Sequence, residues 1–500
     1  MPLWGFSNGG KKRRKEKRKE KKRKIPKIVA TTFAAAKPPA QRCSDQNIEN
    51  VRKYCADIDP EASEKIKEHF YVDEGLRGGD EEQVARMVGQ KLPDGNFSGT
   101  FSQILALGNY KIKAMIVAGD KKSVDSDLMG NKVLGYNYDV EQDMMSLHFG
   151  MNISKKKRSV RLEPNLTVQD IEKLRSASLS KRILLGVTNG FGDFLGIGTP
   201  HTIKFKALMR ELFLLEEPLA WDDLVPDQIR MEWVDLMVET LNAGDLPFHR
   251  STRPDDAVPG VGPSVVGFGD FGQLSYEARV YLRWQLSGSS SSYSARLAIC
   301  KARVPPLRGL TVPRGELTAL TLLSRLVLTV VLALQKLDTP PVSSIMLTDS
   351  RCSLSAVDTT RPLLPYFQNR VAEIKENMEE VRKYCPMEDI FYVASALNPS
   401  DMSTRSTAKI SELGPNSFHQ SGPEFLSLPR SDWPVSRDYS SSDLPGEEVK
   451  IRDKVVFSAA MRANFCHAES TVKDENPWRV IEELLHYSND VKKIIRIIAR

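Results

Sequence analysis

The sequence predicts a multi-domain α/β protein whose C-terminal half builds a mixed sheet with helices packed on it, in the order βββαβαβα. Three observations lead there. The chain has 500 residues, more than one ordinary domain of about 150. Its 41% hydrophobic and 27% charged content is ordinary globular usage, which excludes wholesale disorder and fibrous classes. From residue 264 onward, period-two apolar patterns alternate with helical ones, the signature of a sheet covered by helices.

Taken in order, VVGFGDF (265–271) is a first apolar strand. YEARVYLRWQ (276–285) alternates Ala278, Val280, Leu282 and Trp284; SYSARLAICK (292–301) alternates Ala295, Leu297 and Ile299, with the serine run before it as the hairpin loop. A long apolar helix over about 313–336 follows, then the strand SSIMLTD (343–349), a helix over 365–384, the strand DIFYVA (389–394) and a last helix after Asn398-Pro399. Upstream, LGYNYDVEQDMMSLHF (134–149) reads as a β-hairpin. Segments 167–176 (with Thr167 as N-cap), 180–187, 204–215 and 227–241 read as helices of a connector around the Gly/Pro turn FGDFLGIGTP. The organisation expected is a disordered basic tail (1–45), an α+β remnant (46–160), a helical connector (161–245), a linker (246–263), the sheet domain (264–412), a Pro/Ser-rich linker (413–476) and the start of a further helical segment (477–500).

Charge is concentrated at one end. Residues 11–27 hold 13 Lys/Arg against 2 Glu, a net of +11; the whole chain carries +7, leaving −4 for everything else. A folded body of that charge does not attract nucleic acid by its global field. The run itself (Lys11, Lys12, Arg13, Arg14, Lys15, Lys17, Arg18, Lys19, Lys21, Lys22, Arg23 and Lys24) is either a solvated tail or a nuclear address and non-specific nucleic-acid tether working by counterion release. The six cysteines form no C-x-x-C pair, which suits a reducing compartment. With no apolar segment at the N-terminus, an intracellular location, cytoplasmic or nuclear, is expected rather than secretion. The apolar stretch 317–334 contains Arg325, which costs about 2.5–3.5 kcal/mol at a membrane centre. A buried core helix is expected, and no membrane partner.

Four acids fall at informative places: Asp270 in the first strand, Glu316 in the opening of the long helix, Asp349 closing the fourth strand and Asp401 opening the last helix. Any one of them could be a cap or a solvated turn. Four converging at the strand ends of one sheet, where ligands collect, require cations to relieve their repulsion. Carboxylates with water and phosphate oxygens suit Mg²⁺, with Mn²⁺ as the alternative. Two such ions about 3.5–4 Å apart would activate water and stabilise the leaving oxygen in phosphodiester cleavage.

FGDFGQLSYEARVYLRW (268–284), CKARVPPLRGLTVPRGELTAL (300–320), LTDSRCSL (347–354), FQNRVAEI (367–374) and LNPSDMSTR (397–405) together resemble the ribonuclease H domain of BEL/Pao-type long-terminal-repeat retrotransposon polyproteins. In that resemblance Asp270, Glu316, Asp349 and Asp401 match the metal-binding catalytic acids, Asn369 and Arg370 a recurring pair, and Arg314 a residue expected before the acidic helix. Two departures stand out. Phe271-Gly272 replace the usual Ala-Ser, and Gly315 replaces an apolar residue beside Glu316. There is no histidine between Asp349 and Asp401 for the product-release role, so slow turnover is expected.

HFYVDEGLRGGDEEQVARM (69–87) resembles a reverse-transcriptase palm turn, with Tyr71, Asp73 and Glu74 in place of Tyr-Val-Asp-Asp. Residues 180–200 resemble the family connector, and 417–434 with 477–500 the linker towards an integrase. Too few residues precede Asp73 for fingers and an earlier palm acid, so polymerase activity is expected to be lost. The resemblance implies a Pol-derived, Mg²⁺-dependent endoribonuclease acting on the RNA strand of RNA–DNA hybrids. The alternative is a non-catalytic truncated remnant that binds nucleic acid at most through its basic tail.

Overall fold

The computed structural model describes residues 167–449 with only residues 289–290, 338 and 441 left out, and before them separate stretches between 27 and 149. The lysine-rich run, Asp73 and the helix expected over 477–500 lie outside the described residues.

In the N-terminal part, β1 (Lys27–Ala35) pairs antiparallel with β3 (Glu74–Gly79) and β4 (Tyr110–Val117), and β2 (Phe70–Tyr71) pairs antiparallel with β3. Helices α1 (Pro60–His69) and α2 (Thr100–Leu107) accompany this sheet. Within the stretch expected as a tail, Lys27–Ala35 therefore forms a strand: KIVATTFAA is rich in β-branched residues and enters the sheet. The predicted hairpin forms from β6 (Tyr136–Asp139) and β7 (Met144–Leu147), with β5 (Lys132–Val133) at its edge.

The connector consists of α3 (Val168–Glu172), α4 (Lys181–Thr188), α5 (Thr199–Glu211) and α6 (Asp227–Ala243). Thr167 caps α3 in a reciprocal capping box with Asp170. Phe205, Trp233 and Met237 are fully buried in the connector's own core. Asp193 organises the Gly/Pro turn: its carboxylate accepts the N–H groups of Gly196, Ile197 and Gly198 at 2.7–3.0 Å and the Tyr136 hydroxyl at 2.9 Å. Gly196 has a positive φ, and a Cβ there would lie 1.9 Å from the Cys300 carbonyl. Only glycine permits that contact.

After β8 (Leu246–His249), which pairs with β7, comes the sheet domain. Its strands are β9 (Ser264–Phe271), β10 (Tyr276–Gln285), β11 (Tyr293–Arg303), β12 (Ser343–Thr348) and β13 (Met387–Val393). The order in space is β11-β10-β9-β12-β13, closed by β14 (Val435–Ser436). Strand β10 runs antiparallel to both of its neighbours, β9 and β11, and β12 runs parallel to both β9 and β13. The long helix α7 (Val312–Lys336) lies across one face, beside α8 (Arg351–Asp358) and α9 (Pro365–Arg382). The last predicted helix is a single turn, α10 (Asp401–Thr404), and α8 is an element that the period did not reveal. Helix α7 is long and apolar enough to cross a membrane, but its apolar residues are packed against the sheet.

The predicted alternation of β10 is correct, with Ala278, Val280, Leu282 and Trp284 facing α7, but the opposite face is not solvated. Glu277, Arg279, Tyr281 and Arg283 are buried too. Residues 413–435, within the segment 413–476 expected to be linker, cover that face together with the 136–149 hairpin and the connector loop. The His419 ring donates from Nε2 to the Ile197 carbonyl at 2.7 Å and accepts from Arg279 at Nδ1 at 3.0 Å. Burial and the Arg279 charge hold it neutral. Arg283 donates to the Leu426 and Leu428 carbonyls, and Tyr281 to that of His419. The boundaries drawn from sequence at 160, 246 and 413 thus cut through one continuous apolar core, which bonds from buried cations to backbone carbonyls reinforce.

Arg279 and Glu277 form an ion pair with neither side chain exposed. Glu277→Ala leaves the guanidinium without its counter-charge and is expected to destabilise the protein by about 3–5 kcal/mol, read as a lower urea midpoint; the added change Arg279→Leu should recover part of that loss.

Candidate active site

Strand register brings the acids together. Gly269 of β9 lies opposite Thr348 of the parallel strand β12, so Asp270 and Asp349 emerge one residue later at the same end, on neighbours about 4.8 Å apart. Helix α7 approaches β9 closely because Gly267 and Gly269 face it; a Cβ on Gly267 would be 2.6 Å from Leu323. This approach carries Glu316, in the second turn of the helix, to the same end of the sheet. Asp401 arrives on α10, held by the turn after β9: the Leu274 N–H donates to the Thr404 carbonyl at 3.1 Å and the Ser275 hydroxyl to that of Ser403 at 2.8 Å.

Carboxylate oxygens of Asp270, Asp349 and Asp401 lie within 4.8 Å of one another. Glu316 stands beside this triad, outside that distance set, with its Oε2 buried and lacking a hydrogen-bond partner. All four predicted acids are thus neighbours, but as a triad with an adjoining fourth.

Their electrostatics follow from burial and proximity. Burial, then the Asp270, Asp349 and Asp401 charges, push Glu316 up to about 9. Burial raises Asp270 to about 6 despite the Thr404 hydroxyl, with Asp401 adding to the rise. Asp349 is raised by burial and by Asp270, and Asp401 by burial against the opposing contacts of Asp270 and Arg405. Four crowded acids that resist ionisation, one with an unsatisfied buried oxygen, fit a hard divalent cation with oxygen ligands.

Sequence reasoning missed the groups that orient these acids. Thr404 donates to Asp270 and Ser395 to Asp349. The Asn398 amide bridges Asp349 (3.3 Å) and the Gly269 carbonyl (3.1 Å), and Arg405 pairs with Asp401 at 2.9 Å. The ASALNPSDMSTR run contains all four, yet their spacing follows no regular period. Asn369 is exposed on α9 and Arg370 is turned towards α7. Among the described residues no histidine borders the acids: His419 lies under the sheet and His201 is bonded to Thr240 in the connector.

The two departures from the family pattern prove to be compensated contacts. The Phe271 ring fills the space of a Gly315 side chain, whose Cβ would lie 2.2 Å from it; Gly272 makes room for Thr404, whose carbonyl would be 2.6 Å from a Cβ there.

Residues 180–350 match the family model described as the Pao retrotransposon-like RNaseH-like domain. The chain carries a Pao-type RNaseH-like domain. The match runs from the connector through Asp270, Glu316 and Asp349 and ends before Asp401. The mixed α/β sheet is the RNase H-like fold expected of this Pol-derived, nuclease-like domain. No curated protein matches the chain. Among solved structures, the ribonuclease H1 of the halophilic archaeon Halobacterium salinarum NRC-1 is 15% identical, covering 27% of this chain and 89% of its own, with a TM-score of 0.16. The foamy viral protease-reverse transcriptase, in complex with dsDNA, is 11% identical over 74% of this chain and 69% of its own, with a TM-score of 0.15. At such TM-scores neither likeness carries weight for the fold or the chemistry of this chain.

Gly315→Ala forces the Phe271 ring aside and should cost about 1–3 kcal/mol, with Phe271→Leu in the same chain restoring most of the Tm. Glu316, raised in the folded state from an ordinary 4.5 to about 9, contributes stability that is full below pH 4.5 and lost as pH climbs through 9. Without divalent ions, Glu316→Gln should therefore raise the Tm at pH 8 and leave it unchanged at pH 4. Added Mg²⁺ should raise the parent's Tm at pH 8 more than the variant's.

Proposed function

We propose that the Pao-type domain is a divalent-metal-dependent endoribonuclease that cuts the RNA strand of RNA–DNA hybrids. The observation that carries this reading is the Asp270–Asp349–Asp401 triad, its oxygens within 4.8 Å of one another, with Glu316 alongside in a domain of that family. Mg²⁺ is the ion proposed, two of them shared among the four acids, with Mn²⁺ able to substitute. Bound cations would supply charge neutralisation at the scissile phosphate and a more acidic attacking water.

The chain's own residues do the rest. Thr404 holds one oxygen of Asp270, and Ser395 and Asn398 hold the two oxygens of Asp349, in fixed directions. Arg405 restrains Asp401. Glu316 holds a proton at neutral pH in the ion-free site and releases it as positive charge enters, so cation affinity rises with pH. The Phe271 ring seals the α7 side of Asp270 from water. A 2′-hydroxyl on the cut strand would distinguish RNA from DNA.

Cleavage of an end-labelled RNA–DNA hybrid in Mg²⁺ by the full chain tests the reading. Asp349→Asn should reduce the rate at least about 10³-fold, the scale of losing a charge-stabilising group, without lowering the Tm. Equal cleavage by parent and variant would remove Asp349 from the chemistry; no cleavage by a folded, Mg²⁺-stabilised parent would leave a non-catalytic remnant.

A further inference from the structure

On the flank of α7 turned away from the sheet, Arg314 and Thr318 face the start of α9. There the Tyr366 ring lies against two guanidinium groups, those of Arg370 at 3.5 Å and Arg314 at 4.9 Å from its centroid. Arg370 donates to the Thr318 hydroxyl and to the Tyr366 carbonyl, both at 3.2 Å, and the Tyr366 and Thr318 hydroxyls are 3.0 Å apart. Stacking and hydrogen bonds therefore fix two cations on a rigid aromatic support, with further N–H donors free of these bonds. Among the described residues Arg370 has no ion-pair partner; Glu373, which feels its charge, is paired with Arg325.

Arg314 has a partner from far along the chain. The segment around Gly446–Glu448 returns to α9, where the Leu364 N–H donates to the Glu448 carbonyl at 2.8 Å and Val449 bridges to Leu363. This strap lays the Glu448 carboxylate against the Arg314 Nε at 2.5 Å. Glu448 is 1% exposed, and its second oxygen is buried without a hydrogen-bond partner. A carboxylate so placed loses hydration that one guanidinium contact only partly replaces. It is an anion seated on a cationic platform that it satisfies incompletely. A phosphodiester, whose single negative charge is spread over two non-bridging oxygens, would engage both guanidinium groups.

The platform also adjoins the acid cluster. Arg314 precedes Glu316 by two residues on the same helix. The Cys352 thiol is raised to about 12 by burial and by Glu316, Asp443 and Glu448, so the strap's acids and the cluster flank one side chain.

We propose that Arg314, Tyr366 and Arg370 form a binding platform for a backbone phosphodiester of the nucleic-acid substrate, and that Glu448 of the strap occupies it as an internal competitor. The inference rests on the nucleic-acid reading above and adds the place where the backbone is gripped beside the acids. Glu448→Gln keeps the backbone bond to Leu364 and removes the competing charge, so the strap stays folded while its hold on Arg314 weakens.

The test measures binding of a labelled RNA–DNA hybrid to the full chain in EDTA, by fluorescence anisotropy across a salt series. Cleavage in Mg²⁺ is measured separately. Glu448→Gln should tighten binding several-fold and steepen the salt dependence by about one released counterion. Arg370→Gln should weaken binding, and in the double variant the gain from Glu448→Gln should disappear. Whatever the basic N-terminal run contributes is common to all four proteins and cancels. Unchanged affinity in a folded Glu448→Gln protein, or a gain that survives Arg370→Gln, would overturn the proposal. So would a Glu448→Gln protein that binds inorganic phosphate more tightly while its affinity for the hybrid is unchanged, which would make the platform a site for free anions. A platform effect without cleavage in Mg²⁺ would sink the nuclease reading alone; cleavage without a platform effect would sink this one alone.

Discussion

The central sheet is buried on both faces, and the rest of the described structure is arranged by that constraint. One face is sealed by α7 through an apolar contact that Gly267 and Gly269 make unusually close. The other carries Glu277, Arg279, Tyr281 and Arg283 on β10, groups that cannot be left dry without partners. Glu277 and Arg279 pair with each other, and the segment 419–428 supplies His419 for Arg279 and backbone carbonyls for Tyr281 and Arg283. Besides shared apolar packing, this second layer is bound by directional bonds to backbone carbonyls and to a neutral histidine. Directional bonds of this kind specify one arrangement where apolar packing alone would tolerate several.

The same two-sided burial creates the site. Strand ends sealed above and below have a low effective dielectric, which raises every acid in the cluster. On one side Phe271 presses against Gly315; on the other Thr404 fits over Gly272. Residues that look like damage to the family pattern therefore complete the packing around acids that have remained. The acids are anchored by Thr404, Ser395, Asn398 and Arg405, so like charges are held together by bonds from neutral donors and one cation.

The strap at 444–449 belongs to the same logic of returning chain. It follows the segment that covers the β10 face, crosses to the helical layer and ends against α9 through Leu364 and Glu448. One segment thus touches both layers of the domain and the border of its acid cluster.

The sequence by itself determined the elements and the identities of the acids. Period-two alternation located β10 and β11, the apolar run located α7, and Asp270, Glu316, Asp349 and Asp401 stood out because strand ends and helix starts are local features. Motifs also pointed to the family before any geometry was known. Tertiary structure decided where the domain stops and what orients the acids. Strand β1 (Lys27–Ala35) entered a sheet where a tail was expected, and residues 413–435 became the second layer and 444–449 the strap where a linker was expected. Their partners, such as Ile197 for His419 and Arg314 for Glu448, are more than 130 residues away in the chain. A local period reports which face of an element is apolar. It carries no information about a buried arginine that will find a carbonyl, or a glycine that will meet a ring, across that distance.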